Sequence, residues 1–237
     1  MHSHQWTLAS VLTILFAMQS GAANAEPRIG TAASTRPNVE AVGVGSTQTL
    51  SAGSEIYANQ TVRTGNRGMA DLVFLDKTNL SVGPTSEVRL DKFVYDPTGS
   101  SGSVVLQATR GAFRFVTGSQ AKHAYQVSTP HGTLGVRGTI VELLVNKPGE
   151  ECVAKLRLVE GEAEYRIAKT GKVARLRDPN RNNVACISAS GEVTYSTSSR
   201  SILSFSTTTT PPPPGFVPGG GTTPIAPPPV VSPTRPL

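Results

Sequence analysis

The residues of this chain best equipped for chemistry are few. Of its 4 histidines, His2 and His4 fall near the N-terminus, which leaves His123 and His131. General bases are usually histidines or carboxylates of raised pKa, and each must be held within reach of the proton it takes. His123 stands in a polar stretch beside Lys122, and His131 follows Pro130 in a turn. Neither belongs to an HExxH pair, and two imidazoles are too few to close a typical zinc site. The chain has no GxSxG elbow, phosphate loop or dinucleotide fingerprint. Asp91 and Asp96, with the Thr-Gly-Ser run after them, loosely resemble calcium ligands. They lack the EF-hand spacing, and a solvated hairpin loop accounts for them. Aromatic residues make up 5% of the chain, too sparse for a stacking platform that would hold nucleic acid or sugars. The pattern points away from an enzyme, a cofactor or a metal, and toward a binding protein.

The arginines are the other candidates. Arg137 lies between Gly135 and Gly138 with little local cover. Its guanidinium either closes a hydrogen-bonded corner or presents a donor fork to a partner. Arg137, His131 and Arg114 are the partner-binding candidates, and Arg63, Arg114 and Arg137 would share a basic face if their strands stacked. Net charge is +6. That charge serves solubility, or it draws the protein to anionic envelope polymers or lipid. No long Lys/Arg run is present, and no nucleic-acid partner is expected.

These residues need elements to hold them, and those elements are strands. Charged residues are only 16% of the chain, with 23 Gly and 18 Pro, the two residues that helix interiors tolerate least. Ala70, Leu72 and Phe74 alternate with Asp71 and Val73, a period of two. Val104 and Leu106 read as pairing with Phe113 and Phe115 across Arg110-Gly111. Further strands are expected at Thr139–Val145, Val153–Val159, Ala163–Ile167, Val173–Leu176, Val184–Ile187 and Val193–Tyr195. Turn signals such as Glu160-Gly161 and Ser190-Gly191 separate them. Strands at intervals near ten residues predict an all-β fold, a β-solenoid-like or β-sandwich stack. Pro130 starts a turn and biases Thr129 toward an extended backbone. Gly132, Gly135 and Gly138 follow at every third position, with Thr139 closing the series, which predicts bends or close backbone approach. Cys152 and Cys186 are an even pair in strand-like stretches. They read as one disulfide of an oxidising compartment, closing a 35-residue loop worth about 3–4 kcal/mol. A reactive or metal-binding thiol pair is the alternative, without CxxC spacing to favour it.

Several segments in order make Gly43–Val145 similar to the FecR domain family. Asn59-Gln60-Thr61-Val62-Arg63-Thr64-Gly65 resembles the family's segment ending in a TG turn. Ala70 to Asp76 resembles its alternating strand before an acidic turn, and Ser86 to Leu90 its next strand. Arg110-Gly111-Ala112-Phe113-Arg114-Phe115 resembles its strand after a glycine. Thr129-Pro130-His131-Gly132-Thr133-Leu134-Gly135-Val136-Arg137-Gly138-Thr139 resembles its most specific motif. The resemblance implies an extracytoplasmic β-rich module, in its best-known members the outer part of a membrane-spanning regulator that senses a transporter and controls a sigma factor. This chain shows neither the membrane span nor the cytoplasmic helices of that layout. Lys77 also stands where the family has a glycine after the turn aspartate, which argues against a tight two-residue turn there.

The ends complete the expected organisation. Residues 1–25 read as a signal peptide, with an apolar stretch from Leu8 to Met18 and a small-x-small site at Ala23-Asn24-Ala25, cut after Ala25. The apolar stretch falls short of the roughly 20 residues a membrane span needs. Residues 26–38 read as a flexible leader, 39–205 as the β domain, and 206–237 as a Pro/Thr/Gly-rich tail of polyproline II character. The tail is either a spacer or a tether or ligand for a partner. The expectation is a periplasmic or secreted module with an envelope protein partner, or alternatively a binder of anionic polysaccharide or lipid.

Overall fold

The computed structural model describes residues 26–98, 101–121, 123–146 and 149–205. The expected signal peptide (1–25) and proline-rich tail (206–237) lie outside these residues. Every regular element described is a strand: β1 (Arg28–Arg36), β2 (Val39–Gly43), β3 (Ser46–Thr49), β4 (Glu55–Tyr57), β5 (Thr61–Thr64), β6 (Met69–Phe74), β7 (Asn79–Val82) and β8 (Glu87–Val94). They continue with β9 (Ser103–Val116), β10 (Tyr125–Thr129), β11 (Gly132–Val145), β12 (Ala154–Ile167), β13 (Val173–Leu176), β14 (Val184–Ile187) and β15 (Val193–Ser196). All 15 join one open sheet that does not close into a barrel. Its pairs are antiparallel apart from the parallel β9–β10 pair, which makes the sheet mixed. No described helix is long and apolar enough to cross a membrane.

The sheet's shape comes from its three 14-residue strands, β9, β11 and β12. Each bends at a glycine of positive φ: Gly111 (106°), Gly138 (57°) and Gly161 (78°). An L-residue avoids that backbone region, whereas glycine enters it freely. At each bend the strand changes neighbours. The first half of β9 pairs with β8 and β10, and the second half with β7 and β11. The bends create two runs of strands. One is β4-β1-β6-β7, the second halves of β9 and β11, the first half of β12, then β14-β15. The other is β3-β2-β5-β8, the first halves of β9 and β11 with β10 between them, the second half of β12, then β13.

The two runs face each other across the core. Leu80, Phe113, Phe115 and Leu143 of the first meet Val88, Leu106, Val127 and Leu134 of the second around one small apolar space. Phe74 stacks on Phe93 at 5.6 Å, and Phe115 meets Tyr125 edge-on at 5.9 Å. Burial alternates along the strands, as in the BeB start of β2 and the eBeBeB end of β12. This is how a sheet with one solvated face hides its apolar side chains.

Two expectations change. Residues 28–36 are not a flexible leader. They form β1, with Ile29 and Ala32 fully buried and Gly30 pressed against the backbone of β6. Small residues let two backbones approach closely without an apolar alternation to announce it. Second, the stretches either side of Gly111 are one bent strand rather than a hairpin, and Gly161 likewise bends β12 without ending it. The turn at Lys77 is, as expected, not a two-residue one: the Phe74 N–H donates to the Thr78 carbonyl at 2.9 Å around a three-residue loop. Lys77 adopts φ 69°, and its N–H donates to the Phe74 carbonyl at 2.9 Å. The turn is held from inside by Asp76, fully buried, whose carboxylate accepts from the Thr78 N–H (3.0 Å), the Thr78 hydroxyl (2.7 Å) and the Tyr125 hydroxyl (3.0 Å).

Candidate functional site

The Thr129–Gly132 turn joins β10 to β11, and it is built as a structural corner. The Thr129 hydroxyl accepts from the N–H groups of His131 and Gly132, both at 3.1 Å, and lies 2.6 Å from the Tyr165 hydroxyl. A Cβ at Gly132 would collide with the Arg166 carbonyl. Thr139 does the same work at the next bend. Its hydroxyl donates to the Glu162 carbonyl (2.7 Å) and accepts from the Arg137 N–H (2.8 Å). Burial pushes the Tyr165 phenol up to about 12. It raises Tyr125 to about 12 as well, with the Asp76 carboxylate adding to the effect.

Between those two corners Gly135, Val136 and Arg137 run along an outward face. Val136 points into the core at 1% exposure, so by strand alternation Gly135 and Arg137 point out. Gly135 leaves a gap where neighbouring strands carry side chains, and a groove of about 180 Å³ opens there. Its walls include His123, Tyr125, Arg137, Glu162 and Glu164. Glu164 is held by Arg175 at 3.0 Å and Arg177 at 3.8 Å. Arg137 is exposed, and among the described residues its guanidinium makes no hydrogen bond or ion pair. A free planar fork beside a glycine floor can receive a carboxylate in bidentate fashion. Glu162 and Glu164 were not singled out in the sequence, and His123 was weighed there only as a candidate base or metal ligand. The register pairs Arg137 with Glu162 and Gly135 with Glu164, a juxtaposition that only strand pairing reveals.

The three sequence candidates do not share a site. His131 lines a separate groove at the end of the two runs, with Val153, Ile167 and Ile187 at its base and Lys169 at its rim. Arg114 sits on the outer face of the first run, where its guanidinium is engaged rather than presented. It pairs with Glu142 at 3.1 Å, and Arg157 reaches the same carboxylate at 3.4 Å. Glu142 is 1% exposed. The supposed basic face does not form either. Arg63 bonds to Glu87 at 3.3 Å on β5, and β8, β9 and β10 separate β5 from β11.

The cysteines pair as expected, Cys152 to Cys186, with Cα atoms 5.3 Å apart, beside the β12–β14 pairing. The described residues hold no cluster of three or more His, Cys, Asp or Glu fit for a metal. The Asp96 carboxylate accepts from the N–H and hydroxyl groups of both Thr98 and Ser101. Those bonds hold it well below the usual carboxylate range, and they occupy it as a loop staple.

An open, mixed, all-β sheet with an outward, glycine-floored arginine defines a β-rich module. The family follows from the sequence within that sheet. Residues 60–164, a stretch that runs from just before β5 into β12, match the family model described as FecR protein. Among solved structures, two crystal structures of a candidate anti-sigma factor from Parabacteroides distasonis ATCC 8503 are similar, at TM-scores of 0.46 and 0.45 and 13% identity. The likeness covers 58% of this chain and 59% of that one, so this chain spans about three fifths of its length. No curated protein matches the chain.

Proposed function

We propose that this chain is a non-enzymatic sensing or assembly module of the cell envelope, binding a protein partner through the Arg137 face. The observation that carries the reading is the free guanidinium of Arg137 over the Gly135 groove, inside the FecR match. FecR proteins act as regulators. A carboxylate side chain or chain terminus is the chemistry that a bidentate fork selects. The cystine suits an oxidising compartment, in keeping with export and cleavage after Ala25. In finer description, we take the bent double run as a sandwich stack rather than a solenoid, because the two runs share their long strands.

The test is capture from envelope extract by the intact chain and by its Arg137→Ala variant. A partner retained by the first and lost by the second supports the reading. Equal capture by both rejects it. Export is checked by the mass of the processed chain, which should begin at Glu26.

One observation favours a second reading, an anionic polysaccharide or lipid ligand. Arg166, Lys169, Lys172, Arg175, Arg177 and Arg181 are all exposed along β12, β13 and the turn that follows. Binding through this stretch would weaken steeply as salt rises. Retention on envelope glycans that ignores salt removes it.

A further inference from the structure

The outer face of the first run carries a row of polar residues that crosses six strands in register. It reads Ser34, Asp71, Ser81, Arg114, Glu142, Arg157. Asp71 accepts from Ser34 at 2.7 Å and from Ser81 at 2.6 Å, and Glu142 joins the two arginines. Such a row on an outer face would ordinarily be wet. Here its centre is dry: Ser81 is 3% exposed, Glu142 1% and Arg157 8%.

Residues 198–205 are what keep it dry. After β15 the chain turns back and lies across the strands as a strap. Arg157 donates from Nε to the Ser198 carbonyl (3.1 Å) and from Nη2 to the Ser199 carbonyl (3.0 Å). Glu142 accepts from the Ser201 hydroxyl and the Ile202 N–H, both at 2.9 Å. Leu203 is buried, and the Phe205 ring lies so close over Gly83 that a Cβ there would collide with it. The sheet therefore reads the strap as a receptor reads a peptide. It recognises two carbonyls, one hydroxyl, one N–H and an aromatic ring, all through side chains of β11 and β12 and a gap at the end of β7. The fit is incomplete. Among the described residues Arg114 Nε is buried with no hydrogen-bond partner, and an unmet buried donor is costly.

We propose that this face is a peptide-binding surface that the chain's own strap occupies, and that the ligand is an extended segment of a partner protein which displaces it. That segment carries a hydroxyl residue for Glu142, an apolar ring for the gap at Gly83, and an added acceptor, a carboxylate or carbonyl, for Arg114 Nε. The strap lies beyond the FecR match at 60–164, whereas the polar centre it covers lies inside. The inference does not depend on the Arg137 reading, since the two surfaces belong to different runs.

The experiment uses the full chain with Leu203→Asp and Phe205→Ala, which loosen the strap and leave the polar row intact. The probe is a fluorescent peptide of sequence 197–205. The expected result is at least tenfold tighter peptide binding to the loosened chain than to the native one, and loss of that gain when Glu142→Gln is added. Gly83→Ala, which disturbs only the seat of the Phe205 ring, should give a smaller gain in the same direction. Equal binding to native and both loosened chains overturns the proposal. So does failure of a loosened chain to bind while its sheet signal and cystine are intact, or a gain that survives Glu142→Gln.

Discussion

The two outer faces of this sheet carry similar residues in opposite conditions. On one, Arg114, Glu142 and Arg157 are drawn together, desolvated and covered by residues 198–205. On the other, Arg137 stands over a glycine with Glu162 across from it, and its guanidinium makes no hydrogen bond or ion pair among the described residues. The difference lies in what each position leaves uncovered. Gly135 removes a side chain where a neighbour would shelter Arg137. On the first face a segment does cross, and its hydroxyl and N–H complete the carboxylate. Charged residues in one domain can thus be locked together or stand open, and their cover separates the two conditions.

Four changes sharpen or break that contrast. The largest effect is expected from Glu142→Ala. It leaves two arginines buried without a counter-charge, a loss of about 3–5 kcal/mol, read as a fall in the urea midpoint. A loss below roughly 1 kcal/mol, the scale of an exposed pair, would erase the contrast.

The next effect concerns the phenols that pin the open face from below. Tyr125 and Tyr165 are held up to about 12, whereas an unfolded tyrosine ionises near ~10. The fold favours the neutral phenol, so this stabilisation is complete below about pH 10. Above it the unfolded chain sheds protons that the folded chain keeps, and stability falls as pH rises toward 12. Unfolding midpoints across this window should drop, and Tyr165→Phe should make the drop shallower. An unchanged slope would contradict the burial of these phenols.

Gly83→Ala is expected to cost about 1 kcal/mol by crowding the Phe205 ring. It should speed proteolysis within 198–205 and leave the rest of the sheet resistant. The smallest stability effect belongs to Arg137→Ala, within about 0.5 kcal/mol of native. A large loss there would show that Arg137 is a structural corner and not a presented fork.

Much of this molecule is legible from its sequence. The alternation at Ala70, Leu72 and Phe74, the Thr129-Pro130 turn and the Cys152–Cys186 pair all follow from local rules. β1 is not legible, because Gly30, Thr31 and Ala32 bury themselves by smallness and not by an apolar pattern. Nor is the continuity of β9 and β12. A glycine at positive φ looks the same in sequence whether it ends a strand or bends it. Arg137 was visible as a candidate because glycines flank it, but its groove mates Glu162 and Glu164 depend on long-range register. Glu142 did leave a signal: it is a lone carboxylate inside the apolar run Thr139–Val145. Such a residue must be paired if buried, although its partners lie 28 residues before it at Arg114 and 60 after it at Ile202.

The contrast between the faces is tested most directly by arginine modification of the native, full-length chain with phenylglyoxal, followed site by site by mass spectrometry. Arg137 should react at the rate of an exposed guanidinium. Arg114 and Arg157 should react only when the strap is loosened by Leu203→Asp or the chain is unfolded. Equal reaction of all three in the native chain, or protection of Arg137, would contradict the account.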